Sequence, residues 1–362
     1  MFKNEIVKNK AEQKGFLAEF KGKDILVTGG TGSIGSEIVR QLISFGPRKI
    51  RVFARSEYAH HKFRREMGPE QDHSVRFIIG DIRDKDRLKL AMENVDIVFH
   101  AAAMKHVDIC DNDPFEAVAT NIIGTQNVIN ASRELNVGKV IAISTDKAVN
   151  PEGVLGVSKL MAEKLILNSY YYRGHKKTQY TCVRFGNVLG SSGSILPTFK
   201  NQIIKNGYIT VTDPKMTRFV MTIPQAVKLV LRAAVLTKGQ EIFVLKMPAV
   251  KLGDLADCAI RHYSDVFGKN PADIKRKIIG LRAGEKKHEQ LLANHEIDKV
   301  FETEDMYILT PREDVWGYFH KSGYLGRPQK ATRGFSSEFA KKLKPKEILK
   351  LLKETDSDLN IV

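Results

Sequence analysis

Three glycines at a fixed spacing carry the most specific chemical signal in the sequence. Gly29, Gly32 and Gly35 lie in the segment ILVTGGTGSIG (residues 25–35), directly after a predicted strand and at the start of a predicted helix. Such a turn lets backbone N–H groups approach a pyrophosphate closely, and the helix N-terminus adds a favourable electric field. The spacing therefore predicts the phosphate-binding turn of a Rossmann fold that holds a nicotinamide dinucleotide. The other members of the predicted turn are Thr31, Ser33 and Ile34.

The tips of the second and third predicted strands bear on the choice of dinucleotide. An acidic side chain about 20 residues after the glycine turn would bind a ribose 2′-hydroxyl and favour NAD. Here the second strand ends with Arg55 and Ser56, which suit a 2′-phosphate, so we expect NADP; Glu57 leaves NAD as the less favoured alternative. Asp81 and Ile82 end the third strand and are expected to reach the adenine, although Asp81 is also a common turn former.

An adjacent aspartate and lysine, Asp146 and Lys147, follow the fifth predicted strand. General acid–base catalysis needs one group that donates a proton and one that accepts a proton, on either side of the reacting atoms. An isolated Asp-Lys dipeptide is most often a solvated ion pair. Ligands of open α/β sheets bind at the carboxyl ends of the strands, however, and this dipeptide lies at such an end. It is therefore a candidate acid and base.

The elements that must position these residues alternate between strand and helix. Helical stretches separate the β-rich runs; one example is residues 34–45, with Ile34, Ile38 and Leu42 on one face. Alternation of this kind predicts an α/β protein with a Rossmann doubly wound parallel sheet and a smaller C-terminal substrate-binding lobe. The six β-rich runs are residues 25–28, 50–54, 75–80, 97–100, 140–144 and 181–185.

Changes in regularity along the chain suggest four regions. Residues 1–23 are a polar N-terminal extension with helical spacing, and residues 24–186 form the predicted NADP-binding Rossmann domain. Residues 187–320 are richer in turn signals and are expected to form a smaller lobe interleaved with the first domain, which the resemblance described below would make a nucleotide-sugar-binding lobe. Residues 321–362 are a basic C-terminal appendage with one helix predicted at residues 345–353.

The composition sets limits on partners. The chain has 362 residues and a net charge of +16, and it is long enough for one large core or two smaller ones. The basic residues are scattered and accompany no helix-turn-helix, RRM or zinc-finger pattern, so we expect no nucleic-acid partner. A substrate that carries a diphosphate would also favour a positively charged cleft.

Compartment and metal content follow from what the sequence lacks. No apolar run approaches the roughly 20 residues that span a bilayer, and the N-terminal segment has no signal-peptide pattern. We therefore expect a cytoplasmic protein without a membrane span. The histidines and cysteines form no cluster with zinc spacing, so we expect neither a metal nor a disulfide. The three cysteines are Cys110, Cys182 and Cys258.

A series of longer blocks extends the pattern beyond the glycine turn. The blocks are TGGTGSIGSEI (28–38), GDIRD (80–84), FHAAAMKHV (99–107), NIIGTQNVINA (121–131), STDKAVNP (144–151), GVSK (156–159), VRFGNVLGSSGSILP (183–197), TVTDPKMTRFVMTI (210–223) and LRAGEKKHEQLL (281–292). In order and spacing they resemble the extended short-chain dehydrogenase/reductase superfamily. The closest resemblance within it is to the CapD-like polysaccharide-biosynthesis proteins, which include the UDP-N-acetylglucosamine 4,6-dehydratases. The resemblance covers residues 24–310.

The resemblance implies a reaction in which NADP takes a hydride from C4 of the sugar and returns it to C6, with loss of water between the two steps. It assigns Lys147 as the base that removes the C5 proton, and we expect burial and the neighbouring Lys159 to lower its pKa. It makes Asp146 the acid toward the C6 oxygen and gives Thr145 a hydrogen bond to the C4 oxygen.

The resemblance also identifies a departure from the superfamily pattern. Lys159 matches the lysine of the superfamily's YxxxK motif, which holds the nicotinamide ribose, but the tyrosine position is Leu155. A leucine cannot accept the proton of the C4 hydroxyl. Thr145, Asp146 or a water molecule must therefore relay that proton.

Further site residues follow from the same blocks. Lys105 and His106 are expected to border the nicotinamide and the sugar, although His106 could equally be structural. The arginines suit bidentate contact with a diphosphate. The other residues implied by resemblance are Ala101 and Ala102 beside the cofactor, Asn187 and Arg218 on the nucleotide sugar, and Arg282 and Glu285 on the uridine diphosphate.

Three functions remain open at this stage. The first is a UDP-N-acetylglucosamine 4,6-dehydratase that inverts C5, acting in surface polysaccharide biosynthesis as a homo-oligomer. The second is a nucleotide-sugar 4-epimerase, which would depend on the missing tyrosine and would not need the Asp146–Lys147 pair. The third is a non-catalytic NADP-binding protein, which Leu155 would favour.

Overall fold

A computed structural model describes residues 10–68, 73–175, 177–191, 193–281, 284–312, 317, 329–330 and 335–358. Arg282, one of the predicted diphosphate ligands, lies outside these residues. The strands are β1 (Asp24–Thr28), β2 (Lys49–Ala54), β3 (Val75–Ile79), β4 (Ile97–His100), β5 (Lys139–Thr145), β6 (Gln179–Phe185), β7 (Asn187–Val188), β8 (Tyr208–Val211), β9 (Thr217–Met221), β10 (Ile242–Leu245), β11 (Ala249–Lys251), β12 (Lys275–Ile278), β13 (Val300–Glu302), β14 (Met306–Leu309) and β15 (Gln329–Lys330).

Helices flank and connect these strands. Within the described residues, no helix is long and apolar enough to cross a lipid bilayer. The α-helices are α1 (Lys10–Phe20), α2 (Ser33–Ile43), α3 (Glu57–Met67), α4 (Lys85–Met92), α5 (Val107–Asn112), α6 (Pro114–Ala117), α7 (Gly124–Glu134), α8 (Val154–Asn168), α9 (Ile195–Asn206), α10 (Ile223–Leu236), α11 (Leu252–Val266) and α12 (Pro345–Asp358). A π-helical turn, Val118–Ile123, precedes α7, and a 3₁₀ turn, Asp146–Ala148, follows β5.

The described strands form one main sheet in the order β15-β13-β14-β10-β6-β5-β4-β1-β2-β3. Seven neighbouring strands of this sheet run parallel: β10, β6, β5, β4, β1, β2 and β3. Beyond β10, the strands β14, β13 and β15 each pair antiparallel with the strand before them. The strand order reverses between β1 and β4, which opens a crevice at their carboxyl ends. All six predicted strands are present, and the predicted α/β class with a doubly wound parallel sheet is confirmed.

Local sequence explains why these elements form. All five residues of β1 are buried, as expected for a parallel strand that helices cover on both faces. In α2 the buried apolar residues include Ile38 and Leu42, which are one helical turn apart and face the sheet. Helix α10 begins with Thr222, whose side chain and that of Gln225 form a capping box.

The N-terminal helix packs onto the main sheet domain. Phe16 and Phe20 of α1 are fully buried. The Phe16 ring lies 5.0 Å from the Phe45 ring and the Phe20 ring lies 6.2 Å from the Phe99 ring, measured between centroids. These aromatic contacts anchor α1 beneath the sheet.

Residues beyond β6 contribute both to the main sheet and to a second apolar core. Two small sheets, β11-β9-β7 and β12-β8, lie in this part of the chain. The second core joins α9, α11 and α12, and it buries Phe199, Tyr263, Ile348 and Leu352. The C-terminal helix, predicted at residues 345–353, is therefore integrated into this core. The domain boundaries drawn from the sequence remain predictions.

A buried arginine, Arg184, forms hydrogen bonds with residues both before and after β6 in the chain. Arg184 of β6 is 1% exposed and donates two hydrogen bonds to the Glu163 carboxylate, of 3.0 and 2.7 Å. It also donates to both carboxylate oxygens of Glu296, at 2.9 and 3.1 Å, and to the Leu291 carbonyl. Burial opposes the charge on the guanidinium, but the two carboxylates outweigh it and raise the pKa of Arg184.

Replacing this arginine tests how much the network stabilises the fold. Arg184→Ala leaves two carboxylates buried without their partner, so we expect the free energy of unfolding to fall by about 3–5 kcal/mol. Urea unfolding monitored by circular dichroism measures the change. The control is Arg276→Ala, which removes an exposed ion pair with Asp257 and should change stability by less than about 0.5 kcal/mol. A loss below 1 kcal/mol for Arg184→Ala, on the scale of an exposed pair, would contradict this account.

Candidate active site

The glycine turn after β1 has a backbone that tolerates no side chain at two positions. Gly29 has φ +66°, and a Cβ there would lie 2.6 Å from the Ala102 backbone nitrogen. A Cβ on Gly35 would lie 2.3 Å from the Gly29 carbonyl oxygen. Glycine is therefore required for the turn to approach β4 and α2 so closely.

The glycine turn leads directly into the N-terminus of α2. The N-cap is Gly32, which has no side chain to cap the amides of the first turn. Thr31, Ser33 and Ile34 surround this helix end, and Ala101 and Ala102 border it from the end of β4. An uncapped helix N-terminus beside small residues fits the pyrophosphate of a dinucleotide.

The tips of β2 and β3 carry interacting charges. Arg55 is 59% exposed and its Nη1 lies 3.8 Å from Asp81 Oδ2. Burial opposes ionisation of Asp81, but the hydrogen bonds and charge of Arg83 outweigh it and lower the pKa of Asp81. Ser56 accepts a hydrogen bond from the Ala59 amide and so caps α3. Ile82 is buried.

A buried histidine, which the sequence did not single out, lies between the turn and β5. His100 Nδ1 is 2.7 Å from Thr28 Oγ1, and its Nε2 is 3.1 Å from Thr125 Oγ1. Thr125 donates its own proton to the Asn121 carbonyl, so it must accept from Nε2–H. Burial and the charge of Lys159 lower the pKa of His100 to about 3, which keeps the ring neutral.

The predicted acid–base pair lies at the tip of β5. Asp146 is 2% exposed, and Thr145 Oγ1 donates to its Oδ1 at 2.7 Å. Lys147 Nζ lies 3.2 Å from the same oxygen. Asp146 Oδ2 is buried, and none of the residues described in the structure donates a hydrogen bond to it. The hydroxyl, the carboxylate and the ammonium therefore form one contiguous chain.

A second carboxylate, Glu289, completes this group. Its Oε1 lies 3.6 Å from Lys147 Nζ and 3.4 Å from Arg218 Nε. Asn187 Nδ2 donates to both of its oxygens, at 2.9 and 2.8 Å, and the Phe219 amide donates to Oε2 at 3.1 Å. The sequence prediction missed this residue, although the block LRAGEKKHEQLL contains it. Nothing in that block indicates that the chain folds back onto β5.

The prediction that the pKa of Lys147 is lowered is wrong, because of the charges around this lysine. The pKa of Lys147 was expected to be lowered; burial does lower it, but the charges of Asp146 and Glu289 outweigh burial and the net shift is upward. Burial and the charge of Asp146 raise the pKa of Glu289 to about 7. Burial opposes ionisation of Asp146, but Lys147 and hydrogen bonds hold its pKa low. Asp146 is therefore an anion, and Glu289 is the carboxyl that holds a proton more readily.

The positions of the superfamily's YxxxK motif lie on α8. Lys159 Nζ donates to the Ile143 carbonyl at 2.6 Å, and burial lowers the pKa of this lysine. Leu155 is 4% exposed and belongs to a small apolar cluster with Cys110 and Ala117. The leucine is therefore a packing residue, and the predicted acid and base lie elsewhere, at the tip of β5.

The remaining predicted site residues divide into two groups. Arg218 pairs with Glu285 at 3.0 Å as well as with Glu289, so it joins the charged group around Lys147. Lys105 and His106 lie at the surface after β4. A Cβ on Gly193 would lie 2.3 Å from His106 Cε1, so the imidazole packs directly on that glycine.

Comparison with known proteins supports a family assignment. Residues 25–311 match the family described as polysaccharide biosynthesis protein. The chain is 53% identical to an uncharacterized membrane protein of Methanocaldococcus jannaschii, over 81% of this chain and 87% of that protein. It is 39% identical to an inverting UDP-N-acetylglucosamine 4,6-dehydratase of Campylobacter jejuni, over 88% of this chain and 92% of that enzyme. The X-ray structure of Pen from Bacillus thuringiensis is 42% identical, with a TM-score of 0.85, covering 93% of this chain and 98% of that chain.

Other relatives carry different names or lengths. The capsular polysaccharide biosynthesis protein CapD of Staphylococcus aureus is 44% identical over 85% of this chain, but the match spans only 53% of CapD. A UDP-glucose 4-epimerase of Rickettsia canadensis is 38% identical, over 80% of this chain and 83% of that enzyme. Because relatives carry both dehydratase and epimerase names, the geometry of the site must distinguish the two reactions.

Substitution of Gly29 tests whether the turn holds a dinucleotide. Gly29→Ala places a Cβ against the Ala102 backbone, so we expect a stability loss of more than about 1–2 kcal/mol and at least tenfold weaker cofactor binding. Gly22→Ala is a matched control because Gly22 has φ +71° but nothing within 4 Å of its Cβ position. Fluorescence titration with NADPH measures binding. Equal cofactor affinity in the two variants would refute the assignment of the turn.

Proposed function

Since the chain belongs to the polysaccharide biosynthesis protein family, we propose that it is a nucleotide-sugar enzyme, specifically a UDP-N-acetylglucosamine 4,6-dehydratase that inverts C5. The observation that carries this proposal is the buried group of Asp146, Lys147 and Glu289 at the tip of β5. Dehydration needs a base for the C5 proton and an acid for the C6 oxygen, and this group supplies a lysine and two carboxyls at one point.

The cofactor proposed for this reaction is NADP. Residues of the glycine turn would hold its pyrophosphate, and Arg55 and Ser56 would hold its 2′-phosphate. When bound, NADP would supply the hydride acceptor for C4 of the sugar and, once reduced, the hydride donor for C6. Lys159, next to β5, would hold the nicotinamide ribose. The uncapped N-terminus of α2 and the glycines that allow no Cβ support the fit.

The first task of the protein residues is to move the proton of the C4 hydroxyl. Leu155 is buried in an apolar cluster and has no group for this task. The Thr145 hydroxyl already donates to Asp146 Oδ1 at 2.7 Å. We therefore assign Thr145 as the group that hydrogen-bonds the C4 oxygen and passes the proton toward Asp146.

The second task is the elimination of water across C5 and C6. Lys147, once neutral, removes the C5 proton, and the C–H electron pair forms the C5–C6 double bond. Asp146, once protonated, gives a proton to the C6 oxygen as the C6–O bond breaks. Arg218, Lys105 and Asn187 are proposed to hold the nucleotide sugar. Asn187 is oriented by its two hydrogen bonds to Glu289.

An epimerase remains the second candidate because relatives carry that name. Epimerisation at C4 needs one proton transfer at the C4 oxygen and has no use for a base at C5. The packing of Leu155 and the charged group around Lys147 both favour the dehydratase.

Incubation with UDP-N-acetylglucosamine tests the proposed reaction. With NADP bound, we expect a product lighter by one water molecule, and in deuterated water we expect deuterium at C5 with inverted configuration. Mass spectrometry and NMR measure both. Lys147→Ala should slow water loss at least about 100-fold, since a positioned base contributes on this scale. Lys350→Ala, on the exposed face of α12, is the control. An unchanged sugar mass with altered C4 configuration would indicate the epimerase instead.

Arg55 tests the choice of dinucleotide. Arg55→Asp should weaken NADP binding by about 10–100-fold, because it removes a charge-assisted contact worth about 1.5–3 kcal/mol, and NAD should then bind as well as NADP. Isothermal titration with both dinucleotides measures the change. The control Arg261→Asp makes the same charge change at an exposed position of α11. Unchanged NADP affinity in Arg55→Asp would exclude a 2′-phosphate contact.

A further inference from the structure

The charged group at the tip of β5 contains one more titratable residue than the elimination strictly needs. Asp146 and Lys147 already provide an acid and a base, yet Glu289 is 6% exposed and lies 3.6 Å from Lys147 Nζ. Its carboxylate is fixed by the Asn187 side chain and the Phe219 amide. A buried carboxylate held this firmly beside a catalytic lysine calls for a physical explanation.

The protonation states of the resting site are wrong for elimination. Lys147 lies between two carboxylates that stabilise its ammonium form, so it has no lone pair for the C5 proton. Asp146 is held as an anion by Thr145 and Lys147, so it has no proton for the C6 oxygen. The C4 hydroxyl supplies the proton for the aspartate through Thr145. A second proton must leave the lysine before water can be eliminated.

A proton transfer inside the buried group prepares the lysine. On the proposed dehydratase reaction, we infer that Glu289 is a relay residue that takes the proton of Lys147, holds it during the elimination and then returns it. The Nζ–H bond of Lys147 breaks and an O–H bond forms on Glu289, 3.6 Å away, which leaves the lysine neutral. Lys147 takes the C5 proton and later gives a proton back to C5, and Glu289 then returns its own proton to the lysine, so the resting protonation states are restored.

The surroundings of Glu289 suit this role. The charged groups facing it are Asp146 and Lys147 from the turn after β5, Arg218 from β9 and the nearby Lys286. The pKa of Glu289, raised to about 7, lies between those of Asp146 and Lys147. Exclusion of water by a bound substrate would further favour the neutral lysine and carboxyl over the ion pair.

The relay gives a pH dependence with a definite sign. Glu289 must be ionised to accept the lysine proton, so the rate of water loss in the wild-type protein should rise as the pH rises through about 7. Glu289→Gln keeps the hydrogen-bonding shape but cannot accept the proton. We expect it to lose this pH dependence and to eliminate water at least about 100-fold more slowly. Glu289→Asp, which restores a carboxylate, should recover part of the rate and the rising limb.

Single-turnover measurements separate the relay from a structural role. C4 oxidation, read as absorbance of the reduced nicotinamide, should persist in Glu289→Gln while water loss, read by mass spectrometry, is slow. Infrared difference spectra of the protein alone should show a carboxyl that titrates near pH 7 in the wild type and is absent from Glu289→Gln. The control Glu338→Gln removes a half-exposed carboxylate close to His288 and should match the wild type in every readout.

The outcomes distinguish the relay from the function on which it rests. Water loss by Glu289→Gln within threefold of the wild-type rate, or loss of C4 oxidation and water loss together, overturns the relay. Failure of the wild-type protein to release water from UDP-N-acetylglucosamine overturns the dehydratase proposal itself. In that case the infrared titration still shows whether Glu289 titrates near pH 7.

Discussion

The guanidinium of Arg184, buried between Glu163 and Glu296, fixes the geometry on which the active site depends. Glu163 also accepts a hydrogen bond from Ser144, two residues before Asp146, the proposed acid. Arg184 donates to the Leu291 carbonyl, two residues beyond the buried glutamate of the site. Because a buried charge without its partner is costly, these segments are held at a fixed distance. The network therefore holds the two chain segments that carry Asp146 and Glu289.

The acid–base group itself is governed by the balance between burial and charge. Lys147 is stabilised as a cation because two carboxylates face it, and Glu289 is pushed toward the protonated form because it is buried next to a second anion. Neither direction could be assigned from one residue alone. Asp146, Lys147 and Glu289 shift one another's pKa values, so the protonation state of each depends on the other two.

The dinucleotide turn and the acid–base group rely on different parts of the chain. The turn depends on backbone geometry. Gly29 lies against the segment after β4 and Gly35 lies against the turn itself, both more closely than a side chain would permit. The acid–base group depends on side chains from the end of β5, from β7 and β9, and from the segment that follows β12. Leu155 fills a packing position on α8, so the titratable side chains proposed for proton transfer are those at the tip of β5.

Features that depend on neighbouring residues could be predicted from the sequence. β-rich runs of four to six residues located β1–β6, and the glycine spacing located the turn, because strands, helices and tight turns follow from local pattern. The pairing of Arg184, the presence of Glu289 beside Lys147 and the upward shift of the lysine pKa could be seen only in the folded chain. Each of these results from contacts between segments far apart in the chain, and electrostatic shifts depend on distance in space and not on position in sequence.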